Sequence, residues 1–156
     1  MRNHDEIRFW AEYLKPDSAA FIMDDQGRAG GLAAGESFVI AGDFNSDPFD
    51  GDSVDGAANQ LLEHPRIDSR CVPVSEGAAE AAREQGGLNA QHRGDPAADT
   101  SDFNDEFTGN LRLDYLLPSR NLSVSACGVF WPARGADGHE LVAVSDHRLV
   151  WLDVAW

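Results

Sequence analysis

Three short clusters combine the residue types that acid–base and electrostatic catalysis require. In Gly42-Asp43-Phe44-Asn45 a carboxylate and an amide stand two residues apart, so in extended geometry both project to one side while Phe44 points back into the core. Aimed at one point, they can align a water and hold a developing oxyanion. Asp, Asn and Gly also favour turns on their own account, which is the competing reading. Arg112-Leu113-Asp114-Tyr115-Leu116-Leu117 places a carboxylate inside an apolar run. There it must be paired or hydrogen-bonded, and Arg112, two residues away on the same face, is one candidate partner. Ser145-Asp146-His147 adds a hard-cation ligand beside a group that titrates near neutral pH, although a lone His is more often structural. The conjunction says more than its parts: His147 becomes a second candidate partner for Asp114, in a dyad of the kind that orients an imidazole.

The elements that must position these clusters follow from hydrophobic periodicity. Phe38 to Ala41 is an apolar run between Ser37 and Gly42. It predicts a strand buried on both faces and ending at the Asp43 loop, where open α/β sheets tend to carry ligands. Leu111 to Leu117, Leu122 to Trp131 and Arg148 to Val154 predict further strands. In the last, Val150, Leu152 and Val154 point one way and Leu149 and Trp151 the other, as two covered faces require. Asn3 to Leu14 predicts a helix with Asn3 as N-cap, Ile7, Trp10 and Leu14 on one face, and Lys15-Pro16 as its stop. Asp52-Ser53 predicts the cap of a second helix running through Leu61, Leu62 and Glu63 to His64-Pro65. The remaining aspartates nearby, Asp47, Asp50 and Asp55, read like Asp52 as solvated turn and cap residues, because the Gly and closing Glu of a calcium loop are absent.

From Arg66 to about Asn110 the chain is rich in Gly, Ala, Asp and Arg, with a helical turn or two around Glu76 to Glu84. That pattern predicts functional loops or partial disorder. Within it, His92-Arg93-Gly94-Asp95 and Asp99-Thr100-Ser101-Asp102 could line a substrate mouth. Helix and strand alternate early and strands run consecutively later, without linker or repeat, which predicts one α/β domain over residues 1–156.

GDFNSDP, RLDYLLPS and SDHRLVWLD, in that order, resemble the C-terminal motifs of the endonuclease/exonuclease/phosphatase superfamily, the Mg-dependent phosphoesterases related to DNase I, exonuclease III and sphingomyelinases. DGAANQLLEHPRI, GNLRLDYLLPSRNL and GVFWP are similar to a bacterial branch of that family, so the resemblance extends from Asn3 to Trp156. It implies part of a DNase I-like α/β sandwich, with a mixed, mainly antiparallel sheet flanked by helices. Carried over, it implies that Asp43 orients or deprotonates the attacking water and that Asn45 contacts the transition-state phosphate. Asp146, with Asp43, would hold Mg²⁺ or Mn²⁺; His147 would contact the phosphoryl oxygen or transfer a proton, and Asp114 would hold His147. The first half of the family brings an Asn in the first strand, a Glu metal ligand after the second, and a His or Tyr/Arg pair before the middle helix. None has a match before Phe38. The chain is therefore expected to correspond to the C-terminal half of the fold, to need an N-terminal half as partner, and to show little activity alone.

Composition narrows the partners. Asp and Glu number 27 against 12 Lys and Arg, a formal net charge of −15, which disfavours a general nucleic-acid surface and favours a small or lipid-linked phosphoester. A nuclease would need a basic groove from Arg83, Arg93, Arg112 and Arg120, which acidic residues separate. A non-catalytic binding or scaffold module is the alternative of another class, and a Mg²⁺ or Mn²⁺ titration discriminates it. Hydrophobic residues at 42%, with Trp10, Trp131, Trp151 and Trp156 spread along the length, argue against global disorder. No apolar run is long enough to cross a bilayer, and the opening MRNHDEIRFW has no apolar stretch behind its basic residue, so neither a span nor a leader is expected in this chain. Cys71 and Cys127 allow one disulfide or none; Cys127, within SVSACGVFW, reads as a small buried hydrophobe.

Overall fold

The structure, a computed structural model, describes residues 1–16 and 19–155; Trp156 lies outside them. The first helix, α1 (Arg2–Tyr13), buries Ile7 and Ala11, with Leu14 just beyond its end. Trp10 lies roughly 60° round the helix from Ile7, off the buried stripe, and is 45% exposed. There it packs edge-on against Phe9 and Tyr13. Met1, rather than Asn3, occupies the N-cap position. Asn3 is used instead across space, its Nδ2 donating to the Asn45 carbonyl at 3.0 Å.

After α1 come β1 (Val39–Asp43), a single α-helical turn α2 (Asn59–Leu62) and α3 (Glu76–Gln85). The strands β2 (Ser101–Asp102), β3 (Asn110–Leu111), β4 (Asp114–Pro118), β5 (Ser123–Phe130) and β6 (Leu149–Ala155) complete the order. Pairing is antiparallel throughout the described residues, in three two-stranded units: β1 with β4, β2 with β3, β5 with β6. The alternation of helix with antiparallel strand is that of an α/β fold. No parallel pair of the expected mixed sheet forms among the described residues.

The main core lies between α1, α2 and the antiparallel pair of β1 and β4. Ile7, Ala11 and Leu14 meet Ala57, Ala58, Leu61, Ile67, Phe44, Tyr115 and Leu117. A second, smaller core joins α3 to the hairpin of β5 and β6 through Ala78, Val129 and Trp131. The helix expected from Asp52 is shortened to α2. Asp55 adopts a left-handed φ of 51°, which breaks a helical path, and the Ala58 amide is capped by Ser46 Oγ at 3.0 Å.

Two-sided burial of β1 and β6 does not occur. Leu149 is 68% and Trp151 40% exposed, with Val150, Leu152 and Val154 only half-buried. In β1, Val39 and Ala41 are exposed. Each unit is two strands wide, and the exposed residues of β1 face α1 across an open cavity rather than a packed layer.

The segment from Arg66 to Asn110 is ordered. Ser75 caps α3 by accepting from the Ala78 amide, and Asp95 caps a 3-10 turn through the Ala97 amide. Side chains replace the missing apolar pattern: Asp50 accepts the amides of Arg93 and Gly94, and Asn89 that of Asn110. Asp47 likewise accepts the amides of Phe49, Asp50 and Arg112. Asp47 is buried and Asp50 half-buried, against the expectation that both are solvated. Cys127 is not a free buried thiol, because it forms a disulfide with Cys71 that ties this segment to β5.

Candidate active site

Pairing register brings the first two clusters together. In the antiparallel β1–β4 pair Asp43 stands directly opposite Asp114, a cross-strand position at which like charges repel unless something intervenes. The third cluster supplies it. An isolated bridge between Ser101 and His147, flanked by Asp102 N–H donating to Asp146 O and Arg148 N–H to Thr100 O, both at 2.8 Å, sets the residues before β6 against β2. His147 Nδ1 then lies 2.8 Å from Asp114 Oδ2. Ligand atoms of Asp43, Asp114 and His147 all fall within 4.8 Å of one another. Arg148 locks this approach: its buried guanidinium sits 4.2 Å over the Trp131 ring and donates to Asp102 Oδ2 at 2.7 Å.

Asp43 and Asn45 are not both extended. Asn45 takes a left-handed φ of 46°, so its backbone and side-chain nitrogens donate to the two oxygens of Asp43, each at 2.8 Å. The turn propensity of Asp-Phe-Asn and the convergence of its polar groups are one feature, since the turn aims the amide at the carboxylate. Phe44 points inward as expected, stacked on Tyr115 with ring centroids 4.6 Å apart.

Arg112 does not reach Asp114. Its guanidinium lies 4.8 Å from the centroid of the Tyr115 ring, where burial lowers its pKa against the opposing influence of Tyr115 and Asp47. Arg93 is held against Asp50 at 3.7 Å, and Arg120 Nε donates to the Ile67 carbonyl. These cations are engaged with the protein itself. Asp146 is exposed, outside the group of three whose ligand atoms converge, but near enough for its charge to act on His147.

Burial alone would lower the His147 pKa. The Asp114 hydrogen bond and charge, joined by the charges of Asp43 and Asp146, outweigh it and hold the imidazole above its ordinary value. Phe103 covers the ring edge-on, at 5.7 Å between centroids. Asp114 Oδ2 also accepts from Thr100 Oγ1 at 2.8 Å. Sequence reasoning placed Thr100 only at a substrate mouth. Its sole signal, a Thr among aspartates, carries no periodicity.

The donor set suits a hard cation at its exposed carboxylates. Asp43 keeps lone pairs beyond the two Asn45 hydrogen bonds, and Asp146 is exposed nearby, whereas Asp114 Oδ2 is already taken by two donors. Octahedral Mg²⁺ ordinarily takes one or two protein carboxylates and fills the rest with water and substrate. Asp43 also lines a cavity of 670 Å³ between α1 and β1, whose other walls include Ile7, Trp10, Val39 and Ile40.

Compared with known protein families, residues 5–147 match the model described as the Endonuclease/Exonuclease/phosphatase family. No curated protein and no solved structure gives a match. The matched span contains Asp43, Asn45, Thr100, Asp114 and Asp146, and ends on His147.

Proposed function

The chain belongs to the Endonuclease/Exonuclease/phosphatase family, and from that premise we propose that it is a divalent-metal-dependent phosphoester hydrolase working by in-line attack of water. The observation that carries the reading is the convergence of Asp43, Asp114 and His147 from three strand ends. A DNase I-like sandwich is the architecture that goes with it.

Asp43 orients the attacking water and takes its proton as the oxygen–phosphorus bond forms. Asn45 has one amide hydrogen beyond that given to Asp43, and donates it to a phosphoryl oxygen. His147, charged and held at Nδ1 by Asp114, presents Nε2–H to the phosphoryl oxygen or to the leaving oxygen, which departs with that proton. Mg²⁺ or Mn²⁺ held by Asp146 and Asp43 would supply Lewis-acid polarisation of the phosphoryl group.

Two observations favour a small or lipid-linked phosphoester over long DNA or RNA. Of the four arginines a nucleic-acid groove would need, Arg112 is stacked on Tyr115 and Arg120 gives Nε to the Ile67 carbonyl, which leaves Arg83 and Arg93 exposed. The cavity beside Asp43 has apolar walls, with Asn3 and Glu6 at its polar side, that suit a hydrocarbon substituent. The test is hydrolysis of bis(4-nitrophenyl) phosphate by the purified chain with Mg²⁺, with Mn²⁺ and with a chelator. Metal-dependent turnover that His147→Ala abolishes supports the reading. Absence of both turnover and metal binding favours a non-catalytic module.

A further inference from the structure

Thr100 carries no charge and is 1% exposed, yet it touches the Asp114–His147 pair directly. Its Oγ1 accepts the backbone N–H groups of Leu113 and Asp114, each at 2.9 Å. A hydroxyl has two lone pairs and one hydrogen. Both acceptor positions are filled, so the hydrogen goes to the third neighbour, Asp114 Oδ2, at 2.8 Å. The direction of that bond is thereby set by its surroundings. Oδ2 is left as an acceptor with one further lone pair, which faces His147 Nδ1 at 2.8 Å.

We propose that Thr100 is a positioning residue that orients the Asp114 carboxylate so that its Oδ2 accepts Nδ1–H of His147 and Nε2 is turned toward the substrate side; the charged ring can then donate Nε2–H there, and in the neutral ring the same bond leaves Nδ1–H as the tautomer. The same bonds use both lone pairs of Oδ2, which closes that oxygen to a cation. The catalytic consequence rests on the phosphoesterase reading; the tautomer does not.

Long-range ¹H–¹⁵N spectra of the full chain, at a pH where His147 is neutral, read the tautomer directly. Wild type and Thr100→Ser should show Nδ1–H as the dominant form, and Thr100→Val, which keeps the shape but loses the hydroxyl, should show Nε2–H at a comparable population. A folded Thr100→Val with the wild-type spectrum, or a wild type dominated by Nε2–H, overturns the proposal. Should Thr100→Val not fold, the wild-type hydroxyl decides. A Thr100 O–H proton protected from exchange supports the proposal, and one exchanging freely with solvent overturns it. Where phosphodiester turnover is measurable, Thr100→Val should lower kcat on the order of tenfold with KM unchanged, and Thr100→Ser should retain it. Absence of turnover in wild type counts against the phosphoesterase reading alone, because the tautomer result still decides the role of Thr100.

Discussion

The fold raises the pKa of both His147 and Asp99, which favours the charged imidazole in one and the neutral carboxyl in the other. Asp114→Asn removes the charge and the charge-assisted hydrogen bond that oppose burial at His147, so its pKa should fall below the wild-type value in an NMR titration. Equal pKa values in the two proteins would break the dyad. The sign for stability follows from the raised folded value. The His147 contribution is fully present below its unfolded pKa and is lost as pH rises through the folded one. Asp99 is 7% exposed and its carboxyl accepts no hydrogen bond from the described residues. Burial, with the charges of Asp47, Asp50 and Asp95, pushes its pKa up to about 8. A neutral Asp99 therefore favours the folded state at low pH, and that contribution disappears as pH rises toward about 8. Asp99→Asn should match wild type near pH 4 and exceed it near pH 9 in urea midpoint, both roughly bracketing the span between the unfolded and folded values. A wild-type advantage at the higher pH would show that the ionised group is compensated.

At the scale of elements, the β5–β6 hairpin depends on ties other than core burial. Val129 and Trp131 are its main buried apolar residues, and its outer face is open. The Trp151 ring lies on Gly128, and a Cβ there would come within 2.7 Å of it, so any larger residue would push the ring aside. The Cys71–Cys127 bond, closing a sequence separation of 56, fastens the hairpin to the segment before α3. Reduction, or the double change of both cysteines to Ser, should lower unfolding stability by about 2–4 kcal/mol. The check is a urea titration with and without a dithiol reductant; coincident curves would show that the bond adds nothing. Because His147 enters the site just before β6, the loosened hairpin should also lose the Ser101–His147 bridge, visible as faster amide exchange at Arg148, whose N–H donates to Thr100 O.

For the whole molecule, the uncovered strand faces and the net charge of −15 act against each other. Leu149 and Trp151 on β6, Phe9 and Trp10 on α1, and Phe21 at 70% exposure form apolar surface of the kind that drives association. The shared negative charge opposes it through repulsion that salt screens, with a Debye length of about 10 Å at 0.1 M. Sedimentation should therefore show concentration-dependent self-association that strengthens with NaCl and weakens in a Leu149→Lys/Trp151→Lys variant. A monomer at all salt concentrations would exclude this.

The sequence by itself determined the residue types of the site and the strands beside them, although it put Asp114 inside one strand from Leu111 to Leu117, which the structure divides into β3 and β4 so that Asp114 opens the second. Asp43, Asn45, Asp114 and His147 are polar interruptions of apolar runs, and such interruptions are visible without coordinates because buried polarity must be compensated. It also marked α1 and the helix around Glu76, whose apolar spacing is local. Tertiary structure alone chose between a partner near in sequence and one far from it. Asp114 could pair with Arg112 or His147, and the choice went to His147 because the Ser101–His147 bridge delivers the imidazole while Arg112 stacks on Tyr115. The order of the segment from Arg66 to Asn110, the burial of Asp47, the Cys71–Cys127 bond and the grip of Thr100 on Asp114 belong to the same class. Each depends on single polar contacts between residues distant in the chain, and such contacts leave no period in the sequence from which they could be read.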